Sequence, residues 1–276
     1  MQTTSLKRLW LALGLILIAS FGTLGFLGRE IYREAPPVPS AVVAANGTIL
    51  YTKDDIQTGR QVYQSMGGQQ VGSIWGHGAY LAPDWSADWL HREAVTLLQV
   101  WAERNYRAAR FDDLSAGQQA ALKDRLKTEM RLNTYDPANG TITVSDDRAE
   151  AISRVAAHYV ALFGADEKLA DLREDYAIAN DAIPDQGRRE KLAAFFQWAA
   201  WATTTERPGQ DVTYTVNWPH EELVGNGPST ANVVWSVASV VLLIAAIGAL
   251  TWWHSACKEE DAPKAPAEDP LGGLKP

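Results

Sequence analysis

Two blocks of unbroken hydrophobicity bracket a long middle in which polar and apolar positions alternate. The first, Leu9 to Gly28, runs for twenty residues without a charge and holds seven Leu, two Ile and two Phe. At about 1.5 Å per residue, a helix of that length spans roughly 30 Å, the hydrocarbon thickness of a bilayer. Those Leu, Ile and Phe side chains together favour insertion by roughly 3 to 6 kcal/mol, which outweighs the Gly and Ser among them. Trp10 and Tyr32 lie near the two ends, where aromatic side chains settle at a lipid–water boundary. A cleaved signal peptide is the competing reading. Its apolar region is shorter and ends in a small-x-small site, of which Gly25-Phe26-Leu27-Gly28 is a poor version. The second block, Val233 to Trp253, is twenty-one uncharged residues, entered by Trp235 and left by Trp252 and Trp253. Val240 to Ile244 make it apolar on every face, so lipid or packed helices must surround it.

Two spans place both termini on one side. Lys7, Arg8 and the terminal amine before the first span, and Lys258 after the second, assign that side to the cytoplasm, although Arg29 and Arg33 weaken the bias. The expected organisation is a cytoplasmic N-terminus (1–8), a first transmembrane helix (9–28), a periplasmic domain (29–232), a second transmembrane helix (233–253) and a cytoplasmic linker (254–276). The compartment this implies is the inner membrane of a bacterium.

The middle segment reads as mostly helical. Asp84 is placed to cap a helix carrying Trp89, Leu97, Leu98 and Trp101. Ser115-Ala116-Gly117-Gln118 has the form of a capping box ahead of Leu122, Leu126 and Met130. Asn139-Gly140 marks a turn before a short strand, Thr141 to Val144. Ser145 opens a helix with Ile152, Val155, Ala156, Tyr159, Val160 and Phe163 on one face, stopped at Gly164. Arg188 to Ala202 carries Leu192, Phe195, Phe196, Trp198 and Trp201, and Arg207-Pro208-Gly209 ends it. Val212 to Val216 alternates as a strand does. The charged, Pro-rich tail Lys258 to Pro276 is expected to be disordered by itself. The fold class expected is therefore mainly α with a minor β component.

Charge and composition remove several functions. The net charge is −8 and no Lys/Arg-rich run occurs, which argues against nucleic acid as a partner. The single cysteine, Cys257, excludes an internal disulfide, CxxC zinc sites, iron–sulfur clusters and a CxxCH haem attachment. Eleven Trp point to a packed core, membrane interfaces or partner surfaces. The histidines read as structural. His77 lies in a loop and is expected to bond locally, and His91 is placed to pair with carboxylates. His158 sits in a helical stripe and His254 at a span end. His220-Glu221-Glu222-Leu223-Val224 fails the zinc pattern HExxH at its last position. Asn46-Gly47-Thr48 and Asn139-Gly140-Thr141 match glycosylation sequons but read better as turns.

The most informative stretch is Gly59 to Trp85, with six Gly in twenty-seven residues. Such density means positive φ angles or close backbone approach. It is either a surface loop of no chemical role or a loop whose carbonyls and hydroxyls line a ligand. A hard cation such as Ca²⁺ takes oxygen donors of that kind. Gly78 offers a carbonyl free of side-chain obstruction and Tyr80 an oxygen two residues on.

Ser65-Met66-Gly67-Gly68-Gln69-Gln70, Gly76-His77-Gly78-Ala79-Tyr80, Ala82-Pro83-Asp84-Trp85 and Asp88-Trp89-Leu90-His91-Arg92-Glu93 resemble the N-terminal region of quinol-dependent nitric oxide reductases. So do Thr204-Thr205-Glu206-Arg207-Pro208-Gly209, Asp211-Val212-Thr213-Tyr214-Thr215, Asn217-Trp218-Pro219-His220-Glu221, and, near the end, Asp269-Pro270-Leu271 and Leu274-Lys275-Pro276. The resemblance implies a periplasmic cytochrome-c-like domain held between two transmembrane helices and joined to a haem–copper-oxidase-type core. In the cytochrome-c-dependent relatives a CxxCH motif precedes the Gly-x-Gly-Ala-Tyr loop. Its Cys positions fall here on Gly68 and Val71 and its His on Gly72, so the resemblance implies a domain without haem c. It also implies a calcium ion, held by Gly78 and Tyr80 together with the core and bridging haem propionates.

Haem b, haem b₃ and the non-haem iron belong, on this reading, to a core that these residues do not include. No catalytic residue is expected here, and the chain is expected to be a truncated product, a fragmentary gene model or a split subunit that serves as anchor and periplasmic cap. The expected partners are the lipid bilayer, the catalytic core and, through the core, quinol as electron donor. The alternative from another class is a two-span periplasmic sensor or ligand-binding protein.

Overall fold

The computed structural model describes residues 2–78 and 81–261. Residues 1–227 and 228–276 form two separate units.

The larger unit begins with α1 (Gln2–Arg33), an uninterrupted helix whose large apolar side chains stand exposed, among them Trp10, Ile18 and Phe21. Apolar surface on that scale is not tolerated by water, and lipid is the solvent that accepts it. Trp198 ties down the chain that follows, donating its indole N–H to the Pro37 carbonyl at 2.9 Å.

A small sheet comes next. β1 (Ala41–Ala44) turns through Asn46-Gly47 into β2 (Ile49–Thr52), with Gly47 at φ 89°. β3 (Tyr135–Asp136) and β4 (Thr141–Val144) join it in the order β2-β1-β4-β3, with β1 and β4 parallel and Val42 beside Ile142. Both of those side chains are buried, so the sheet seals one side of the helical core.

Five helices build that core. They are α2 (Lys53–Ser65), α3 (Trp85–Tyr106), α4 (Ala116–Arg131), α5 (Asp146–Leu162) and α7 (Gln186–Thr204), with the short α6 (Ala170–Asp175) ahead of the last. Polar side chains start them. Thr52 and Asp55 form a capping box on α2, Ser115 and Gln118 another on α4, while Asp84, Ser145 and Asp185 cap α3, α5 and α7. The apolar stripes then meet at the centre, where Trp85, Trp89, Trp101 and Trp201 are all fully buried. Trp85 stacks on Phe196 with ring centroids 5.4 Å apart and Trp89 on Tyr159 at 5.1 Å. Asp88 ties the layers together, accepting from Arg92 Nε at 2.8 Å and from the hydroxyls of Tyr159 and Tyr176 at 2.6 and 3.3 Å.

The smaller unit is α8 (Thr230–Asp261), apolar all round and exposed. Leu6–Arg33 and Thr230–Cys257 are each long and apolar enough to cross a bilayer. The fold is mostly helical with a small sheet, as the hydrophobic pattern anticipates.

Three expectations need correction, and one helix is longer than the uncharged run it contains. Gly59 to Ser65 is the second half of α2 and not part of the loop. Lys258 to Asp261 continue α8, consistent with a sequence that offers no Pro between Pro228 and Pro263 to interrupt it. The first apolar helix likewise extends beyond residues 9–28 at both ends. Val212 to Val216 is not a strand. Its amides find partners elsewhere: Tyr214 donates to the Thr205 carbonyl and Thr215 to that of Ala202, at the end of α7. Tyr214 buries its ring on Trp201, which satisfies the alternating pattern without a sheet.

Candidate functional site

The Gly-rich loop runs from Met66 to Pro83, between α2 and α3. Gly67 and Gly68, at φ 115° and 54°, turn the chain out of α2 into a single 3-10 turn. Tyr63 then anchors it from below, donating its hydroxyl to the Gly72 carbonyl at 2.8 Å. A Cβ on Gly72 would strike the Trp85 indole and the Pro83 carbonyl. A Cβ on Gly78, at φ 152°, would lie 2.8 Å from Ser73 Cα and 2.9 Å from the Gln69 carbonyl. The loop thus folds back on itself, and only glycine permits that approach.

Asp84 holds the fold-back together. Its buried carboxylate accepts from Ser73 Oγ at 2.8 Å, from the Gly76 amide at 2.5 Å, from Ser86 Oγ, and from the Ala87 amide at 3.0 Å. Trp75 completes the frame in a left-handed conformation (φ 57°) that a bulky residue rarely adopts. It is held there by its indole N–H, which donates to the Ala199 carbonyl at 2.9 Å, and by its amide, which donates to Ser86 Oγ. Replacing Asp84 by alanine removes a helix cap and several charge-assisted hydrogen bonds at once, an expected loss of about 3 kcal/mol. Thermal unfolding of the chain in detergent checks the loss, and hydrogen exchange at Gly76 checks that the loop is released. A Gly76 amide that stays protected in D84A would refute this role.

His77 is exposed, and its backbone pairs with that of Ile74 in both directions at 3.1 and 3.2 Å. A Cβ on Gly76 would lie 3.6 Å from the Cβ of Trp218, whose exposed ring meets His220 edge-on at 5.2 Å. The structure therefore brings Gly68, Val71, Gly72 and Gly78 into one folded loop. Tyr80 lies outside the described residues, as does the tail segment Asp269-Pro270-Leu271. Among the described residues no group of three His, Cys, Asp or Glu side chains is poised for a metal.

His91 pairs with a carboxylate as expected, its Nδ1 standing 2.7 Å from Glu221 Oε2. Glu221 belongs to a strap after α7, fixed by Asn226, which donates to the Thr203 carbonyl at 3.1 Å and to Asn217 Oδ1 at 2.9 Å. The hydrogen bond to Glu221 raises His91 above the ordinary 6.5 against the opposing effects of burial and Arg92. Burial alone would raise Glu221, but hydrogen bonds from His91 and the Leu223 amide outweigh it and hold the carboxyl below 4.5. The raised imidazole stabilises the fold below 6.5 and loses that effect as pH rises through its folded value. The lowered carboxyl stabilises above 4.5 and loses its effect as pH falls through its folded value. The clamp is complete only between those limits. Because His91 is 63% exposed, the expected decline from pH 6 to 8 is small, about 0.5 kcal/mol. Melting midpoints across that range should show the decline in the wild type and a flat line in His91→Gln.

Two features of the centre were not legible in the sequence: the four-donor arrangement on Asp84, and the placing of Trp85 against Gly72. Asp84 reaches back to Ser73 and Gly76 beyond the helix that it caps, and Trp85 reaches back to Gly72, through loop geometry that periodicity does not encode.

Residues 39–220 match the family model for the NorB cytochrome c-like domain of nitric oxide reductase. The helical domain between the two membrane-length helices is thus of the cytochrome c-like class. The match covers about two thirds of the sequence, and the chain belongs to the NorB family of nitric oxide reductase polypeptides. Membership implies association with the rest of that enzyme. No curated protein is matched by the chain.

Proposed function

We propose that the chain is the membrane anchor and periplasmic cap of a quinol-dependent nitric oxide reductase and carries no haem of its own. The observation that supports this most is the pairing of Gly72 with Trp85. Gly68, Val71 and Gly72 stand where a haem-bearing relative has two thiols and an imidazole, and no side chain fits at position 72 beside the indole. The interior behind it is filled by stacked Trp85 and Phe196. A haem c would need two thiols and an axial imidazole, and Gly68, Val71 and Gly72 supply none of them.

On this reading membrane quinol would supply two electrons to the core, whose haem b, haem b₃ and non-haem iron would use them with two protons to reduce two NO to N₂O and one water. The cap's share is positional. Gly78 and Tyr80 would offer neutral oxygens to a calcium ion, and Asp84, whose carboxylate is engaged by its own loop, would not be a free donor. The negative charge that calcium needs must then come from the core and from the haem propionates. Both apolar helices cross the bacterial inner membrane and carry the domain on its periplasmic side.

The test is the electron donor. In enzyme assembled from this chain and its core, a quinol should sustain NO consumption, and a reduced soluble cytochrome c should not. Calcium chelation should lower the rate, and Gly78→Val should lower the calcium affinity. Turnover with cytochrome c at the quinol rate would overturn the reading.

A further inference from the structure

The foot of α1 opens onto a cleft of about 1050 Å³ in which cations and carboxylates face one another beside apolar surface. Arg33 and Glu34 contribute from the end of the helix, and Arg207 and Asp211 from the loop after α7. Leu132, 60% exposed, supplies apolar lining. The charges are incompletely matched: Arg33 donates from Nη1 to Glu30 at 3.4 Å and makes no other side-chain hydrogen bond among the described residues. Glu206, also on the wall, is taken by Arg131 at 2.7 Å. Arg207 stands 3.6 Å from Glu34, beyond a hydrogen bond, and donates from Nη2 to the Tyr214 carbonyl. Its buried Nε has no partner among the described residues. Asp211 is engaged only through its carbonyl, by Arg131 at 3.4 Å, and its exposed carboxylate makes no hydrogen bond among the described residues.

The geometry points to a binding site for a zwitterionic phosphate–ammonium group, the headgroup of a lipid such as phosphatidylethanolamine. The inference rests on the reading of α1 as a membrane span. If α1 leaves the hydrocarbon near Arg29 and Arg33, the cleft lies at headgroup depth, where long cationic side chains reach phosphates. Guanidinium groups recognise phosphate oxygens through several N–H donors, so Arg33 and Arg207 take the phosphate. A primary ammonium carries three donors for carboxylates, so Glu34 and Asp211 take the amine. A quaternary choline has no N–H and cannot make those bonds. An uncharged glycerol headgroup leaves the carboxylates facing a net anion. Leu132 gives the first part of an acyl chain an apolar surface to lie on.

The site is tested on the full chain in detergent, by the shift of its melting midpoint with added lipid. Dioleoylphosphatidylethanolamine should bind about tenfold more tightly than the phosphatidylcholine or phosphatidylglycerol analogue, the value of about one charge-assisted hydrogen bond. Asp211→Asn should erase the preference for ethanolamine over choline while leaving the unliganded midpoint unchanged. Arg207→Gln should weaken all three lipids, and because Arg207 also holds Tyr214, the exposed Asp211 variant keeps the test independent of folding. Equal shifts with all three lipids, or selectivity intact in D211N, would overturn the site. A full shift with soluble O-phosphoethanolamine would overturn the lipid as its source. Extraction of the chain from membranes by alkaline carbonate is a separate readout, and it would sink the anchor reading without touching headgroup selectivity.

Discussion

Valine at Gly59 should abolish stable folding of the cytochrome c-like domain, and alanine there should cost about 2 kcal/mol despite being the better helix former. Gly59 sits where α2 crosses α7, the most extensive helix contact of the domain. A Cβ built on it runs into the carbonyl group of Lys191 and lies 2.8 Å from Phe195 Cβ. Lys191 contributes backbone there, so no rotamer change relieves the overlap, and the helices must part. Parting them loosens Tyr63 from Phe195 and Phe196, whose rings lie 5.6 and 6.2 Å away. Against this stands the intrinsic gain of alanine over glycine in a helix, about 1 kcal/mol. Overpacking against rigid backbone costs typically 1 to 3 kcal/mol and more for a branched side chain, so the steric effect wins. Gly117 supplies the control. It lies in the first turn of α4 with nothing within 4 Å of an added Cβ, and Gly117→Ala should stabilise by about 0.5 kcal/mol. Trp fluorescence during thermal unfolding reads both. A G59V midpoint within experimental error of wild type would refute the crossing.

Gly59 also shows what the sequence concealed. Grouped with five other glycines it reads as loop, because α2 offers only Ile56, Val62 and Tyr63 as buried hydrophobic signal, too sparse for a convincing stripe. The elements that were legible have dense stripes and explicit caps. Asp84, Ser115 and Ser145 each accept from a first-turn backbone amide as their positions require, and Leu122, Leu126 and Met130 are all buried. β1 and β2 were not readable, since Ala41-Val42-Val43-Ala44 and Ile49-Leu50-Tyr51 are unbroken apolar runs, whereas the equally short Thr141-Ile142-Thr143-Val144 alternates polar and apolar positions. The false strand at Val212 failed for the opposite reason. Its pattern was right for burial on one face, but α7 supplied the acceptors that a neighbouring strand would have. At the loop, residue identity revealed that glycine mattered. It could not reveal that Gly72 yields its space to Trp85 while Gly78 yields to Gln69 and Ser73, because those contacts belong to the folded chain alone.

Removing either member of the Glu93–Arg148 pair should cost about 3 to 5 kcal/mol, whereas removing both together should cost less than the sum. Glu93, on α3, and Arg148, in the first turn of α5, are among the most buried charged side chains described, at 1% and 3% exposure. Arg148 Nε donates to Glu93 Oε1 at 2.8 Å, and Trp89 donates its indole N–H to Oε2 at 2.8 Å. A cation in the first turn of a helix opposes the helix dipole, so the position itself does not favour arginine. Glu93 is what makes it tolerable. In Glu93→Leu the guanidinium is left buried without a counter-charge, and Arg148→Met strands the carboxylate in the same way. Once both charges are gone, the surrounding apolar side chains can close on neutral groups. What remains is the unpaired Trp89 N–H, worth about 1 kcal/mol. A double-mutant cycle on thermal unfolding isolates the coupling, and strict additivity would show that the two charges are stabilised by something other than each other. The pair joins the helix that Asp84 caps to the helix that follows β4, so its loss should also loosen the Gly76–Gly78 loop, visible as faster hydrogen exchange at Gly76 in either single variant and partial recovery in the double.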